Sequence, residues 1–202
     1  MKVAAILLVG YLLGSFNIAV IITKWILKND VRGQGSHNAG ATNVARVYGM
    51  GLGLITLAGD FAKTAAAMII GRAILGELGA CAAGMGCLIG HSWPVFFGFK
   101  GGKGVAVAGA VALMLDFRLF LILIAIFLSA FFICRMVSLS SLIAAFCFSF
   151  VYYLLGGTAP YDITLGIFVT VLVFFLHRAN ILRLIKHEEP KFIPKFKKWN
   201  SK

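Results

Sequence analysis

Carboxylates are scarce in this chain: seven Asp and Glu stand against 19 Lys and Arg among 202 residues, a formal net charge of +12. Charge of either sign is scarce too, at 13% of residues, about half the share of an ordinary soluble domain, while 60% are hydrophobic. So much apolar surface has no place in a water-soluble core of this size, which excludes a secreted or cytosolic globular protein. High net charge with low hydrophobicity would mean disorder, but this chain is too apolar for that. A nucleic-acid binder is excluded as well, because its apolar runs would have to dissolve in water. Cysteines are few. Cys81, Cys87, Cys134 and Cys147 lie in apolar runs without Cys-x-x-Cys spacing and are expected as small buried hydrophobes. His-x-x-x-His and His-Glu-x-x-His patterns are absent, as are a Gly-x-Ser-x-Gly elbow and a P-loop, so no metal, cofactor or covalent nucleophile is expected.

What remains is an all-α polytopic membrane protein, one integral domain over residues 1–202. Val3 to Ile22 is an uncharged run flanked by Lys2 and Lys24, matching the roughly 20 residues that cross a hydrocarbon core. Further apolar stretches run from about Gly51 to Leu75, Leu78 to Pro94, Gly104 to Leu115, Leu119 to Cys134, Val137 to Gly156 and Ile163 to Phe175. Seven spans are expected, with five spans and a re-entrant hairpin as the alternative, since Gly104 to Leu115 rises only about 18 Å as a helix. With the N-terminus outside, 15 of the 19 Lys and Arg fall on one set of loops and the C-terminal tail. The opposite face holds Lys2, Arg72 and Arg118. The positive-inside rule then sets N-out and C-in. Gly10/Gly14 and Gly86/Gly90 form two Gly-x-x-x-Gly pairs, expected to let helices approach closely.

Four polar islands share the inner side, at residues 28–50, 91–104 and 134–141 and at the start of the basic tail 178–202. The first, DVRGQGSHNAGATNVARVYG from Asp30, mixes Gly with Ser36, Asn38, Thr42, Asn43, Arg32 and Arg46. Glycines let backbone N–H groups nest around an anion, and a helix starting near Thr42 would favour phosphate. A flexible connector is the plainer alternative. The second, HSWPVFFGFKGGKG from His91, sets Lys100 and Lys103 among glycines: a second anion loop, or an ordinary basic loop with a Trp anchor. His91 is expected to be a hydrogen-bonded interfacial residue. The third, RMVSLSS from Arg135, opens a span with three hydroxyls. The fourth, HRANILRLIKHEE from His177, puts His177 and Asn180 on one helical face. Asp60 and Lys63, costly inside a span, are expected to pair. The tail is expected to rest on anionic headgroups, with Pro190 and Pro194 preventing one continuous helix.

These islands resemble the motifs of the bacterial acyl-phosphate-dependent glycerol-3-phosphate acyltransferases, the PlsY family. The matching segments are GSFNIAVIITK at Gly14, RGQGSHNAGATNVARVYG at Arg32, DFAK at Asp60, GHSWPVFFGFKGGKGVA at Gly90, VSLSSLIAA at Val137 and HRANILRL at His177, spread over nearly the entire chain. Asn17 stands where Pro is expected. His37 replaces a usual Gly and adds bulk inside the proposed phosphate nest. Ala65 or a neighbour replaces a small Gly after Lys63. No His is followed five positions on by Asp, so the His-x4-Asp signature of thioester-using glycerolipid acyltransferases is absent.

The resemblance implies acyl transfer from acyl phosphate to the 1-hydroxyl of glycerol 3-phosphate, giving lysophosphatidic acid and phosphate. It implies no cofactor, and membrane lipids and an enzyme supplying the acyl phosphate as partners. By the same resemblance Ser36, Asn38, Gly40, Ala41, Thr42 and Asn43 cradle the acyl phosphate, largely through backbone N–H groups. Arg46, Lys103, Ser141, His177 and Asn180 grip glycerol 3-phosphate, with Lys100, Gly101 and Gly102 in the second anion loop. For the base there are two candidates, His177 and the donor phosphate. A transporter for phosphorylated metabolites is the rival from another class, although mid-span polar groups are few and no inverted repeat is evident.

Overall fold

The computed structural model describes residues 1–193, so Pro194 and the tail lysines Lys195, Lys197, Lys198 and Lys202 lie outside the described residues. Every regular element among the described residues is helical. The first apolar run is not one straight helix. α1 (Lys2–Gly14) ends early, and α2 (Ile18–Val20) continues into a π-helical segment, Ile21–Ile26. Asn17 makes the break. Its side chain caps α2 by accepting from the Val20 N–H at 3.0 Å, as short polar side chains do at helix starts. A 3-10 turn at Val31–Gly33 then leads to the short α3 (Ala41–Tyr48).

α4 spans Met50–Ser92 but is not a single rod. Leu75 and Gly76 leave helical geometry, with Gly76 at φ 58°, and the chain reverses there. Lys63 Nζ lies 3.0 Å from His91 Nδ1, 28 residues away; a straight helix would hold residues that far apart about 42 Å from each other. α4 is therefore an antiparallel hairpin, with Gly71 and Gly79 so close that a Cβ on either would overlap the other's carbonyl. α1 packs along this hairpin through the two Gly-x-x-x-Gly pairs. A Cβ on Gly10 or Gly14 would meet the backbone of Ala83 or Cys87, and one on Gly86 or Gly90 the backbone of Leu7 or Tyr11. Small residues at both surfaces let the backbones touch.

The other half of the bundle is α5 (Val105–Leu115), α6 (Phe117–Cys134), α7 (Val137–Leu154), α8 (Pro160–Leu176) and the short α9 (Arg178–Ile185). Asp116 caps α6, accepting from the Arg118 N–H at 2.7 Å. Arg135, at φ 57°, turns the corner into α7, and Pro160 opens α8, where its missing N–H costs nothing. Met68, Leu88, Val107, Leu119, Phe148 and Val169 are among the buried residues of the core these helices share. Phe132, Ile133, Phe146, Phe150 and Val171 point outward and are exposed, as expected of a surface bathed in lipid rather than water.

By length and composition four helical stretches among the described residues are fit to cross a membrane: Lys2–Ile26, Met50–Phe97, Phe117–Cys134 and Val137–Leu154. A fifth is α8 with α9, bent by 61°, while Val105–Leu115 is shorter. The four polar islands gather at one end of the bundle, and bonds across them show it. Arg32 reaches the Phe97 carbonyl at 2.7 Å, Lys103 reaches Asn180, and Ser138 reaches Glu189 at 2.6 Å.

Candidate active site

The first island is organised by one buried side chain. Asn43, in the first turn of α3, is 1% exposed. Its Nδ2 donates to the carbonyls of Val31, Gln34 and Asn38 at 3.0–3.1 Å, and its Oδ1 accepts from the Ser36 N–H at 2.9 Å. Two N–H bonds shared among three carbonyls occupy the whole side-chain amide, so the Asn43 side chain shapes the loop. Gly35 has φ +60° and no room for a Cβ beside Asn43 Oδ1, which is why glycine stands there.

The loop leaves the start of α3 open. Gly40 is its N-cap and its carbonyl already accepts from the N–H groups of Asn43 and Val44. The N–H groups of Ala41 and Thr42 then fall in the first turn, where a helix supplies no acceptor. Ser36 and His37 are exposed at the loop's apex. His37 has φ +57°, and its Nδ1 lies 3.1 Å from the Arg32 carbonyl.

The second island is tied to the first. Arg32 chelates Asp30 at 2.7–3.1 Å and donates to the carbonyls of Phe97 and Lys100. Gly102 lies against the Ala39 carbonyl and the His91 ring, with no space for a side chain. Lys103 and Lys100 part company here. Lys103 turns inward to Asn180 Oδ1, whereas the Lys100 side chain is exposed and its carbonyl accepts from Arg32 at 3.2 Å. His91 is hydrogen-bonded, as expected, and buried: it is 2% exposed in the last turn of α4, with Lys63 at 3.0 Å and Asp60 at 3.4 Å. Lys63 spends its other donors on the carbonyls of Gly14 and Phe16, at the broken end of α1. Its pairing with Asp60, 2.8 Å away, is as expected.

The third and fourth islands meet at a carboxylate that sequence reasoning passed over. Glu189 accepts from Ser138 Oγ at 2.6 Å and Asn180 Nδ2 at 2.7 Å on one oxygen, and from Arg183 Nε at 2.7 Å on the other. Burial works against its charge, but those three bonds outweigh it and hold the carboxyl below the usual range. Because Glu189 takes the Asn180 NH₂, the amide oxygen is left to face Lys103. The sequence carried one signal: Glu189 is among the very few carboxylates near the islands. Ser141 is buried one turn beyond Ser138, its hydroxyl donating to the Val137 carbonyl at 2.7 Å. Arg183 belongs to this cluster and not to the headgroup-facing tail.

The electrostatics follow from crowding cations in a half-dry place. Burial pushes the Lys103 ammonium down to about 8, with Glu189 opposing and Arg183 and Arg46 adding to the fall. Arg46 is likewise lowered, by burial first, and among the described residues it donates to no protein acceptor. His177, just past the end of α8, is 2% exposed with Nδ1 2.8 Å from the Val173 carbonyl. A carbonyl can only accept, so Nδ1 carries the proton and Nε2 presents a lone pair. Burial, then the Lys103 charge, lower its pKa to about 4, so the ring is neutral at physiological pH. Arg46, Lys103, Arg183, Asn180 and His177 thus form a cationic and polar cluster beside the open start of α3. Such a cluster is suited to an anion with several oxygens.

The glycerol-3-phosphate acyltransferase family model matches residues 4–187. The chain belongs to that family. Among its relatives, the glycerol-3-phosphate acyltransferase of Desulforudis audaxviator is 38% identical over 191 residues, 94% of this chain and 96% of that protein. The one from Thioalkalivibrio sulfidiphilus is 39% identical over 93% of each chain. Among solved structures, the glycerol 3-phosphate form of PlsY (YgiH), an integral membrane glycerol 3-phosphate acyltransferase, superposes with a TM-score of 0.89 at 32% identity, covering 96% of both chains. Its lysophosphatidic acid form gives 0.87. The resemblance of the motifs to the PlsY family is thereby established. Asn17, the departure from the expected Pro, is no defect in this family member: buried, it both caps α2 and donates to the Ala39 carbonyl at 3.1 Å, bracing the first island.

Proposed function

We propose that this chain transfers a fatty acyl group from acyl phosphate to the 1-hydroxyl of glycerol 3-phosphate, yielding lysophosphatidic acid and inorganic phosphate. The observation that carries the reading is the gathering of Arg46, Lys103 and Arg183 around Asn180 and His177, beside the open first turn of α3. Two substrates that each bear a phosphate need two such anion-holding elements. The start of α3, with Gly40, Ala41 and Thr42, cradles the donor's phosphate through N–H groups, assisted by Asn38 and Ser36. The cationic cluster holds the phosphate of the acceptor, with Ser141 and Asn180 orienting its glycerol hydroxyls.

Chemically, the acceptor hydroxyl oxygen attacks the acyl carbonyl carbon, the carbon–oxygen bond to the phosphate breaks, and the phosphate leaves with the electron pair. The mixed anhydride has a good leaving group, so no acyl-enzyme is needed. The protein's task is then positioning and stabilisation of the developing oxyanion. The hydroxyl proton passes to an oxygen of the donor phosphate. A His177 pKa of about 4 makes it a feeble base at neutral pH, better suited to accept a hydrogen bond on Nε2.

The topology we propose has seven crossings. Both arms of the α4 hairpin and the short α5 each count as one, the N-terminus lies outside, and the site faces the cytoplasm where an enzyme supplies acyl phosphate. The charge asymmetry between the loops supports this orientation. Purified protein in lipid, given acyl phosphate and glycerol 3-phosphate, should form lysophosphatidic acid. Absence of product at every pH would refute the enzyme reading, and equal activity with acyl-CoA would refute the donor assignment.

A further inference from the structure

Past α9 the chain does not run out along the membrane but folds back over the site. Glu189 docks on Ser138, Asn180 and Arg183. Three residues later the Phe192 N–H donates to the Arg135 carbonyl at 2.8 Å, on the corner between α6 and α7. Held at both points, this strap lays the Phe192 ring between two partners. On one side is Phe131 of α6, with ring centroids 6.2 Å apart; on the other is the Arg46 guanidinium, 5.8 Å from the ring centroid. That spacing is within cation–π range. Among the described residues Arg46 donates no hydrogen bond to the protein, and the ring lies against its guanidinium and steadies the long side chain. A guanidinium lying on an aromatic face keeps its N–H edges free for a phosphate.

Resting on the function proposed above, we infer that Phe192 is a positioning residue for the acceptor: its ring pre-sets the Arg46 guanidinium so that it meets the phosphate of glycerol 3-phosphate already oriented. Without the ring the arginine must be ordered at the moment of binding, and that entropy is charged to affinity. The expected loss is roughly fivefold in acceptor affinity, the size of a half-buried cation–π contact. It falls on acceptor binding and spares the donor.

The test uses the full chain in lipid, with Phe192→Leu, Phe192→Trp and Arg46→Gln, alone and combined. Phe192→Leu keeps the apolar packing on Phe131 and removes only the aromatic face. The expected result is a roughly fivefold rise in KM for glycerol 3-phosphate with kcat and the acyl-phosphate KM within about twofold of wild type. Phe192→Trp should recover wild-type KM, and Phe192→Leu should add nothing to Arg46→Gln. Calorimetric titration with glycerol 3-phosphate alone should show the same loss without any turnover. The inference is overturned if Phe192→Leu leaves the acceptor KM unchanged, if Trp fails to rescue where Leu fails, or if the Leu effect persists undiminished on Arg46→Gln. Wild-type protein that binds glycerol 3-phosphate but acylates it from another donor would sink the donor assignment and leave the inference standing.

Discussion

The substitution Asn43→Asp tests whether the first island is held by one amide or assembled around the ligand. The change is nearly isosteric. Oδ1 can still accept from the Ser36 N–H, but the atom that donated to Val31, Gln34 and Asn38 becomes an oxygen facing three carbonyl oxygens. Each lost hydrogen bond costs about 1 kcal/mol net, and an unpaired buried acceptor more. Two N–H donors are lost at a residue 1% exposed, which sets a floor of about 2 kcal/mol before any charge is desolvated. For a chain of this length that corresponds to a fall of roughly 4–8 °C in the unfolding midpoint. The loop between residues 31 and 42 loses its shape at the same time, so the N–H groups at the start of α3 no longer converge. Acyltransferase activity should drop at least a hundredfold through kcat/KM for both substrates. The checks are thermal unfolding in detergent and steady-state formation of lysophosphatidic acid. A variant with wild-type thermal stability and a raised KM for acyl phosphate alone would refute the reasoning, because Asn43 would then be a donor ligand and not the brace of the loop.

Three more outcomes are expected. Lys103, with its ammonium lowered to about 8 by burial and by Arg183 and Arg46, loses its charge as pH rises through that value. The kcat/KM for glycerol 3-phosphate should therefore decline above about pH 8, and Lys103→Arg should move that decline to higher pH; a flat profile up to pH 10 would contradict the assignment. Lys63→Met strands the Asp60 carboxylate inside the bundle and removes the donors to Gly14 and Phe16. It should cost about 3–5 kcal/mol, measured by detergent unfolding, with part recovered when Asp60→Asn is added. Gly86→Leu drives a side chain into the Leu7 carbonyl and pushes α1 off the α4 hairpin, whereas Gly51→Ala meets nothing within 4 Å. Folded yield should collapse for the first and stay at wild type for the second.

The sequence made the location of the site legible and much of its wiring illegible. The glycine-rich and serine-rich islands could be found because polar residues are costly in so apolar a chain, and their clustering stands out against the background. The helix-packing role of Gly10, Gly14, Gly86 and Gly90 was readable from four-residue spacing alone. What spacing could not show was which polar groups serve the protein itself. Nothing in the spacing tells that the Asn43 side chain has four backbone partners, or that Lys100 is exposed while Lys103 turns toward Asn180. Glu189 escaped notice because a carboxylate repels phosphate; its use, to fix the Asn180 amide and Arg183, depends on residues up to 51 positions away. The hairpin at Leu75–Gly76 left its trace only as a gap between two apolar runs.

The strap that returns across the bundle has a bearing on how the protein is made. Arg32 waits for Phe97 and Lys100, Lys103 for Asn180, and Ser138 for Glu189, across 51 to 77 residues of chain. During synthesis the helices enter the membrane one after another with these cations and hydroxyls unmatched. The cluster is assembled only once the segment carrying Glu189 and Phe192 has docked. A chain without that segment would lack the bonds that fix Asn180 and Arg183 and the ring that lies against Arg46.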